Sequence, residues 1–376
     1  MAGSTFGDQF KIMTWGESHG KGIGVVVDGC PAGLSLCEAD IQKYLDRRKP
    51  GQSKFTTQRQ EGDQVEILSG VFEGKTTGTP IALEVRNTDQ RSRDYSAIKD
   101  SYRPGHGDYT FDAKYGFRDY RGGGRSSGRE TIGRVAAGAI ALKILEDLGI
   151  SIQAYTKSVG SVSVDPERFD LEQMWQNRLY MPDRKAALEA EAYLEEAMAR
   201  KDSVGGVAEC VIIGLPPGVG EPVFDKLDAN LAKAILSIGA VKAFEIGDGL
   251  KAAFSAGSGN NDSFRLDSNG QVVKETNHSG GVLGGISDGS AVLFRAAIKP
   301  TPSIASRQKS VTRDGRELEL EISGRHDPII VPRAVVVVEA MAALVVLDLM
   351  LAGMSSRMEW LRRIYGGELH DYRNGK

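Results

Sequence analysis

Two of the chain's five histidines lie among small residues, in Gly16-Glu17-Ser18-His19-Gly20 and in Arg103-Pro104-Gly105-His106-Gly107-Asp108. Glycine-flanked backbone is tight and leaves a side chain open to a ligand. Imidazole is also the side chain whose ordinary pKa best suits proton transfer near neutrality. A turn histidine with one satisfied hydrogen bond has the same local sequence, so neither His19 nor His106 is decisive alone. A third segment, Arg325-His326-Asp327-Pro328, sets a cation, an imidazole and a carboxylate in a row, and Pro328 biases Asp327 towards an extended or turn conformation.

Cations come in clusters. Arg47, Arg48 and Lys49 close one expected helix, and Lys54 and Arg59 follow in a short loop. Basic residues at a helix C-terminus also suit the macrodipole, which is the plainer explanation. Nine arginines run from Arg86 to Arg134, many beside glycine or serine. Arginine recognises phosphate and carboxylate through two parallel hydrogen bonds and keeps its charge when partly buried.

The densest piece is Arg121-Gly122-Gly123-Gly124-Arg125-Ser126-Ser127-Gly128-Arg129-Glu130-Thr131, which enters the clearest helix of the chain. Glycines let backbone N–H groups point at an anion, serines add hydroxyls, and a helix start leaves N–H groups unsatisfied. No Gly-Lys-Ser/Thr follows, so it is not a Walker loop, and no strand immediately precedes it, so it is not a dinucleotide fingerprint. An RGG-type RNA-binding segment would be repeated, and this one occurs once. A cradle for a phosphate-bearing ligand fits best. Asn277–Gly285 is a second glycine-rich turn, and Lys299-Pro300-Thr301-Pro302-Ser303 offers a cation and hydroxyls on stiffened backbone. Each of these also reads as an ordinary loop.

The elements that must carry these segments are only partly marked. Ile23–Asp28, Val65–Phe72, Pro80–Val85, Val207–Ile213 and Ala291–Ile298 read as strands. Glu38–Lys49, Glu130–Leu148, Lys185–Ala199 and Lys226–Leu236 read as helices, and Gly133 and Gly138 inside the second imply a close neighbour. Arg86–Gly128 is polar and without period, a length of loop that is usually functional. Ala334–Leu351 is apolar enough for a membrane span, but Glu339 and Asp348 interrupt it; a core helix capped by Gly353 is the better reading. Several successive strands lack a helix between them, which favours α+β over a doubly wound sheet. No linker composition appears, so one intricate domain over 1–353 is expected, with 354–376 a polar tail of unassigned role.

The 376 residues are 40% hydrophobic and 26% charged, as in a soluble globular protein. A net charge of −3 argues against a protein that coats nucleic acid. Cys30, Cys37 and Cys210 are too few and scattered for a disulfide framework or a zinc site. Met1–Phe10 has no leader-like pattern, so a cytoplasmic location without membrane attachment is expected.

Gly16–Gly20, Gly122–Thr131 and Arg325–Pro328, in that order and at those separations, resemble the three signature regions of the chorismate synthase family, and the likeness runs from about Phe6 to about Leu351. The resemblance implies a β-α-β sandwich fold. It implies a carbon–oxygen lyase that converts 5-enolpyruvylshikimate 3-phosphate to chorismate and phosphate by an anti-1,4-elimination, needing reduced FMN without net redox change. It implies a homotetramer. By position, Arg125, Ser126, Ser127, Ala240, Gly284, Lys299, Pro300, Thr301, Pro302, Ser303 and Arg325 match cofactor contacts. Arg48 matches a phosphate-binding arginine, with Lys54, Arg129 and Arg134 as further substrate cations; Lys54 stands where many relatives have arginine. His19, His106 and Asp327 match the catalytic residues. Members of the family either reduce their flavin with NADPH or depend on a separate flavin reductase, and the lack of a dinucleotide fingerprint here favours the second. The other readings are a flavin-dependent oxidoreductase acting on a phosphorylated small molecule and a single-stranded RNA binder.

Overall fold

The structure is a computed structural model and describes residues 3–56, 61–88, 99–322 and 327–366. Its first sheet is antiparallel and five-stranded. Strands β1 (Thr5–Phe6), β2 (Lys11–Gly16) and β3 (Gly22–Asp28) pair in sequence order. After helix α1 (Glu38–Arg48) come β4 (Val65–Ile67), the small hairpin of β5 (Val71–Phe72) and β6 (Lys75–Thr76), and β7 (Ile81–Arg86). The order across the sheet is β1-β2-β3-β7-β4. The expected strand Val65–Phe72 is therefore two, broken where Gly70 turns the chain with φ +82°. The polar stretch before the first signature helix contains an unexpected helix, α2 (Asp108–Tyr115). Its apolar and polar residues show almost no periodicity, which is why the sequence hides it.

Helix α3 (Thr131–Asp147) packs on β2, β3 and β7 and, on its other side, on α7 (Val331–Gly353). The two interior glycines explain themselves. A Cβ on Gly133 would stand 3.1 Å from the Gly24 carbonyl oxygen, and one on Gly138 would stand 2.4 Å from the Ala340 Cβ. Helix α7 in turn lies on the second sheet, touching β8 (Ser151–Val159) and β10 (Gly206–Ile213). That sheet adds β9 (Val162–Ser163), β11 (Val241–Ile246) and, after the hairpins β12–β13 (Phe264–Leu266, Val272–Lys274) and β14–β15 (Val282–Leu283, Ile286–Ser287), strand β16 (Val292–Ile298). Its order is β11-β16-β10-β8-β9, again antiparallel. Sheet, helices, sheet is the layering, and the fold is the β-α-β sandwich of the α+β class. Helix α4 (Arg184–Ala199) packs beside β9, and α5 (Leu227–Leu236) fits between α7 and β11. The short α6 (Gly257–Asn260), the hairpin β17–β18 (Gln308–Val311, Glu317–Leu320) and α8 (Met358–Tyr365), which lies within the expected polar tail, complete the chain.

Helix α7 is the apolar segment that the sequence marked. It is long enough to cross a membrane, yet 83% of its most apolar window is buried inside the fold. Its charges are answered within the protein. Glu339 accepts two hydrogen bonds from Arg47, at 2.6 and 2.9 Å, and one from the Ala154 amide at 2.9 Å. The Asp348 carboxylate accepts the successive amides of Asp8, Gln9 and Phe10 at 3.0, 2.6 and 2.8 Å, fastening the start of the chain to its last long helix. Gly353 is inside the helix rather than the left-handed cap expected for it, because the chain keeps right-handed dihedrals at Met354.

Candidate active site

The site is organised by a turn that only glycine can make. Gly122, Gly123 and Gly124 have φ of +68°, +92° and +52° in succession, a conformation that costs other L-residues about 1–2 kcal/mol each. The space beside them is as restrictive as the dihedrals. A Cβ on Gly122 would stand 2.3 Å from Cε1 and 2.4 Å from Nδ1 of His19. One on Gly123 would stand 2.9 Å from Cε1 and 3.1 Å from Nε2 of His106. The two histidines picked out from sequence, 87 positions apart, thus press their rings on adjacent glycines of the Gly/Arg segment.

Each ring is held from behind. The Ser18 hydroxyl lies 3.2 Å from Nδ1 of His19. The Asn87 side chain donates to the carbonyls of Glu17 and Gly20 at 3.0 and 2.9 Å, closing the loop that carries that histidine. On the other side, Lys299 donates to the Gly105 carbonyl at 2.6 Å, so the Lys299–Ser303 segment supports the His106 loop. Burial, then the neighbouring Lys242, pulls the Lys299 ammonium below its ordinary value. Nδ1 of His106 is 3.0 Å from Asp108 Oδ1. Asp108 also accepts two hydrogen bonds from the Arg103 guanidinium, both at 2.7 Å. Burial would raise the Asp108 carboxyl, but the hydrogen bonds from Arg103 and His106 outweigh it and hold it far below the usual carboxylate range.

Arg48, Arg129 and Arg333 form an adjoining cluster with buried acids. Arg48, at the end of α1, is fully buried; its Nη2 donates to Asp63, and its Nε has no hydrogen-bond partner among the described residues. Arg129 donates to the other Asp63 oxygen at 3.0 Å and to Asn87 Oδ1 at 2.7 Å. Arg333 donates to the Arg48 carbonyl at 2.9 Å and to Asp327 at 2.6 Å. Burial lowers the Arg48 guanidinium to about 10, with Asp63 raising it and Arg333 and Arg129 lowering it further. It remains a cation at neutral pH. Asp63 is pushed up by burial and brought below the ordinary range by Arg48 and Arg129. Asn87 ties this cluster to the His19 loop.

Other expected site residues fall at different distances from this centre. The Arg125 guanidinium donates to Thr14 Oγ1 at 2.6 Å and to the Gly16 carbonyl at 3.3 Å, pinning the glycine turn to β2. Ser126 donates to the Gly123 carbonyl at 2.7 Å, and the Ser127 hydroxyl accepts the Arg129 amide. Ala240, with φ +73°, accepts the Lys299 amide through its carbonyl at 2.9 Å. A Cβ on Gly205 would lie 3.0 Å from Pro300 Cδ, and one on Gly105 3.2 Å from Pro302 Cβ. Ser303 is buried, and the buried Thr301 hydroxyl has no hydrogen-bond partner among the described residues. Gly284 turns the β14–β15 hairpin at φ +60°. Lys54 is engaged with Glu195 on α4, and Arg134 with Glu130 at 2.9 Å and Ser237 at 2.6 Å, so neither joins the Arg48 cluster. Arg325 and its neighbour His326 lie outside the described residues. Sequence reasoning did not single out Asp63, Asn87 or Arg333, and it met Arg103 only as a cation close to His106. Only Glu61-Gly62-Asp63, an acidic pair just after a basic loop, offered a signal.

The Chorismate synthase family profile matches residues 10–351. Curated chorismate synthases of Lachnoclostridium phytofermentans and Lachnospira eligens are each 64% identical over 365 residues, spanning 97% of this chain and 100% of each relative. The chorismate synthase of Methanocella arvoryzae is 55% identical over 359 residues, with 94% and 95% covered. A solved structure described as a crystal structure of chorismate synthase superposes with a TM-score of 0.74 at 31% identity, covering 98% of both chains.

Proposed function

Because this chain belongs to the chorismate synthase family, we propose a role for each part of its site in the family's reaction. That reaction is the loss of phosphate and a proton from 5-enolpyruvylshikimate 3-phosphate to give chorismate, the last step of the shikimate pathway, and the chain is a lyase.

In this reading a phosphate-bearing flavin, reduced FMN, belongs beside the Gly122–Gly124 turn. The donor set suits it: a left-handed glycine turn, the Lys299 ammonium, and the buried Thr301 hydroxyl left without a partner among the described residues. Ser126, Ser127, Ala240, Gly284 and Lys299–Ser303 would hold it, and Arg125 would keep the turn in place. Bound there, reduced FMN would supply the electron density that eases the departure of phosphate, without net oxidation.

The chain's own groups do the rest. Breaking the carbon–oxygen bond builds negative charge on the leaving phosphate, and His106 delivers a proton to it from Nε2, the ring edge that faces Gly123. His19, whose ring lies against Gly122, would stabilise or protonate the reduced cofactor. Asp327, oriented by Arg333, receives the proton lost from substrate carbon. Arg48 and Arg129 hold substrate anions; the Nε of Arg48, without a partner among the described residues, is a buried donor suited to an anion. Lys54 and Arg134, engaged elsewhere, are left out of that set. The placement of both imidazoles on consecutive glycines is the observation that carries the proposal. Family resemblance supports a cytoplasmic homotetramer with one domain over 1–353. The family contains both kinds of member, and the lack of a dinucleotide fingerprint in this sequence favours flavin reduced elsewhere over reduction by NADPH on this chain.

The test is anaerobic. Protein, chemically reduced FMN and 5-enolpyruvylshikimate 3-phosphate should give chorismate absorbance and free phosphate in equal amounts while the flavin stays reduced. Oxidised FMN with NADPH should give neither. Product formed without any flavin would remove FMN from the proposal.

A further inference from the structure

The side of His106 facing away from the glycine turn is wrapped by charge that the roles above do not use. We infer that Asp108 is a positioning residue: its carboxylate fixes a proton on Nδ1 of His106, which leaves Nε2 as the nitrogen that exchanges protons at the turn. The consequence for catalysis rests on the reading of His106 as the acid; the tautomer itself does not.

Two groups approach Nδ1, and they ask for opposite states. Asp108 Oδ1 is 3.0 Å away and needs a proton there; Arg103 Nη2 is 3.1 Å away and would need a bare nitrogen. A bare Nδ1 would set its lone pair against a carboxylate oxygen at 3.0 Å. A protonated Nδ1 donates to that oxygen and removes the conflict. Arg103 does not depend on the ring, because its Nε and Nη2 already donate to Asp108 Oδ2 and Oδ1 at 2.7 Å each. The carboxylate stays ionised and stationary. It also accepts the Arg103 amide at 3.0 Å, lies 3.9 Å from the Arg118 guanidinium, and opens helix α2, where the backbone dipole favours an anion. Nδ1 is thereby committed, and the edge left over, Nε2 with Cε1, is the one against Gly123. A carboxylate that orients an imidazole without itself taking the proton is a general device of acid–base catalysis.

Protein labelled with [15N]histidine tests this, with His106→Gln identifying the resonance. At a pH where the ring is neutral, a protonated and a bare ring nitrogen give widely separated 15N shifts. We expect His106 to be protonated at Nδ1. In Asp108→Asn the Arg103 fork claims the amide oxygen and turns the NH2 towards the ring, so the neutral form should switch to Nε2–H. With reduced FMN supplied, kcat should then fall by about 10²-fold, the lower end of what acid–base catalysis contributes, with KM for the phosphorylated substrate little changed. A wild-type ring protonated at Nε2, or an Asp108→Asn ring that keeps Nδ1–H, would overturn the inference. If the variant does not fold, the wild-type spectrum decides alone. Failure of the elimination assay would leave that spectrum standing, so the two readings fail separately.

Discussion

A single methyl group separates a seated His19 from a displaced one. Gly122→Ala meets a left-handed backbone, at a cost of about 1–2 kcal/mol, and places a Cβ 2.3 Å from the imidazole. We expect the variant to lose about that much stability by denaturant titration. Turnover should fall by about 10²-fold, the usual effect of misplacing a reacting group by about an ångström. Wild-type turnover from folded Gly122→Ala protein would show that the ring need not rest on that glycine. At this scale the sequence was informative about residue types and silent about partners. His19, His106 and the glycine run announce themselves locally. Asp63, with φ +45°, matters because it bridges two arginines from α1 and the turn before α3, and Asn87 because it reaches residues 17, 20 and 129. No local spacing encodes such pairings. The same limit explains Lys54 and Arg134, visible as cations but already matched with Glu195 and Glu130.

Helices α3 and α7 meet at Gly138 with only the Ala340 methyl between them, and their separation sets the thickness of the middle layer. Gly138→Val forces the helices apart, since even a Cβ would stand 2.6 Å from the Ala340 Cα. Overpacking of this kind costs about 1–3 kcal/mol, and the urea midpoint should fall accordingly with its slope unchanged. An unchanged midpoint would mean that the layers separate freely. The sequence showed these helices well, because long apolar or amphipathic runs average over many residues. It showed β3, β7, β10 and β16 within a residue or so. It missed β2 and β8, where lysines, threonine, serine and glutamine interrupt the apolar residues, and α2, whose eight residues lack an apolar face.

Buried carboxylates shape how the whole molecule responds to acid. Asp63 and Asp108 are both held below the ordinary carboxylate range, chiefly by arginine hydrogen bonds and charge that outweigh burial. The unfolded chain therefore binds protons at a higher pH than the folded one. The stability these groups contribute is complete above the unfolded value of about 3.9 and is lost as pH falls below it towards their folded values. Denaturant titrations should show a plateau for this contribution down to about pH 5 and a decline from about pH 4. Alanine at Asp63 and Asp108 would reduce that decline, at a large cost in overall stability; an equally steep decline would assign the acid sensitivity to other groups. The clasp of Asp348 on the amides of Asp8, Gln9 and Phe10 has a different consequence, in time rather than in energy. Its two halves are 338 to 340 residues apart. During translation the first sheet and α3 emerge long before α7, so the side of α3 that packs on α7 stays uncovered until that helix has been made. The fold cannot close before residue 348 has left the ribosome, and until then the growing chain is a natural client for chaperones.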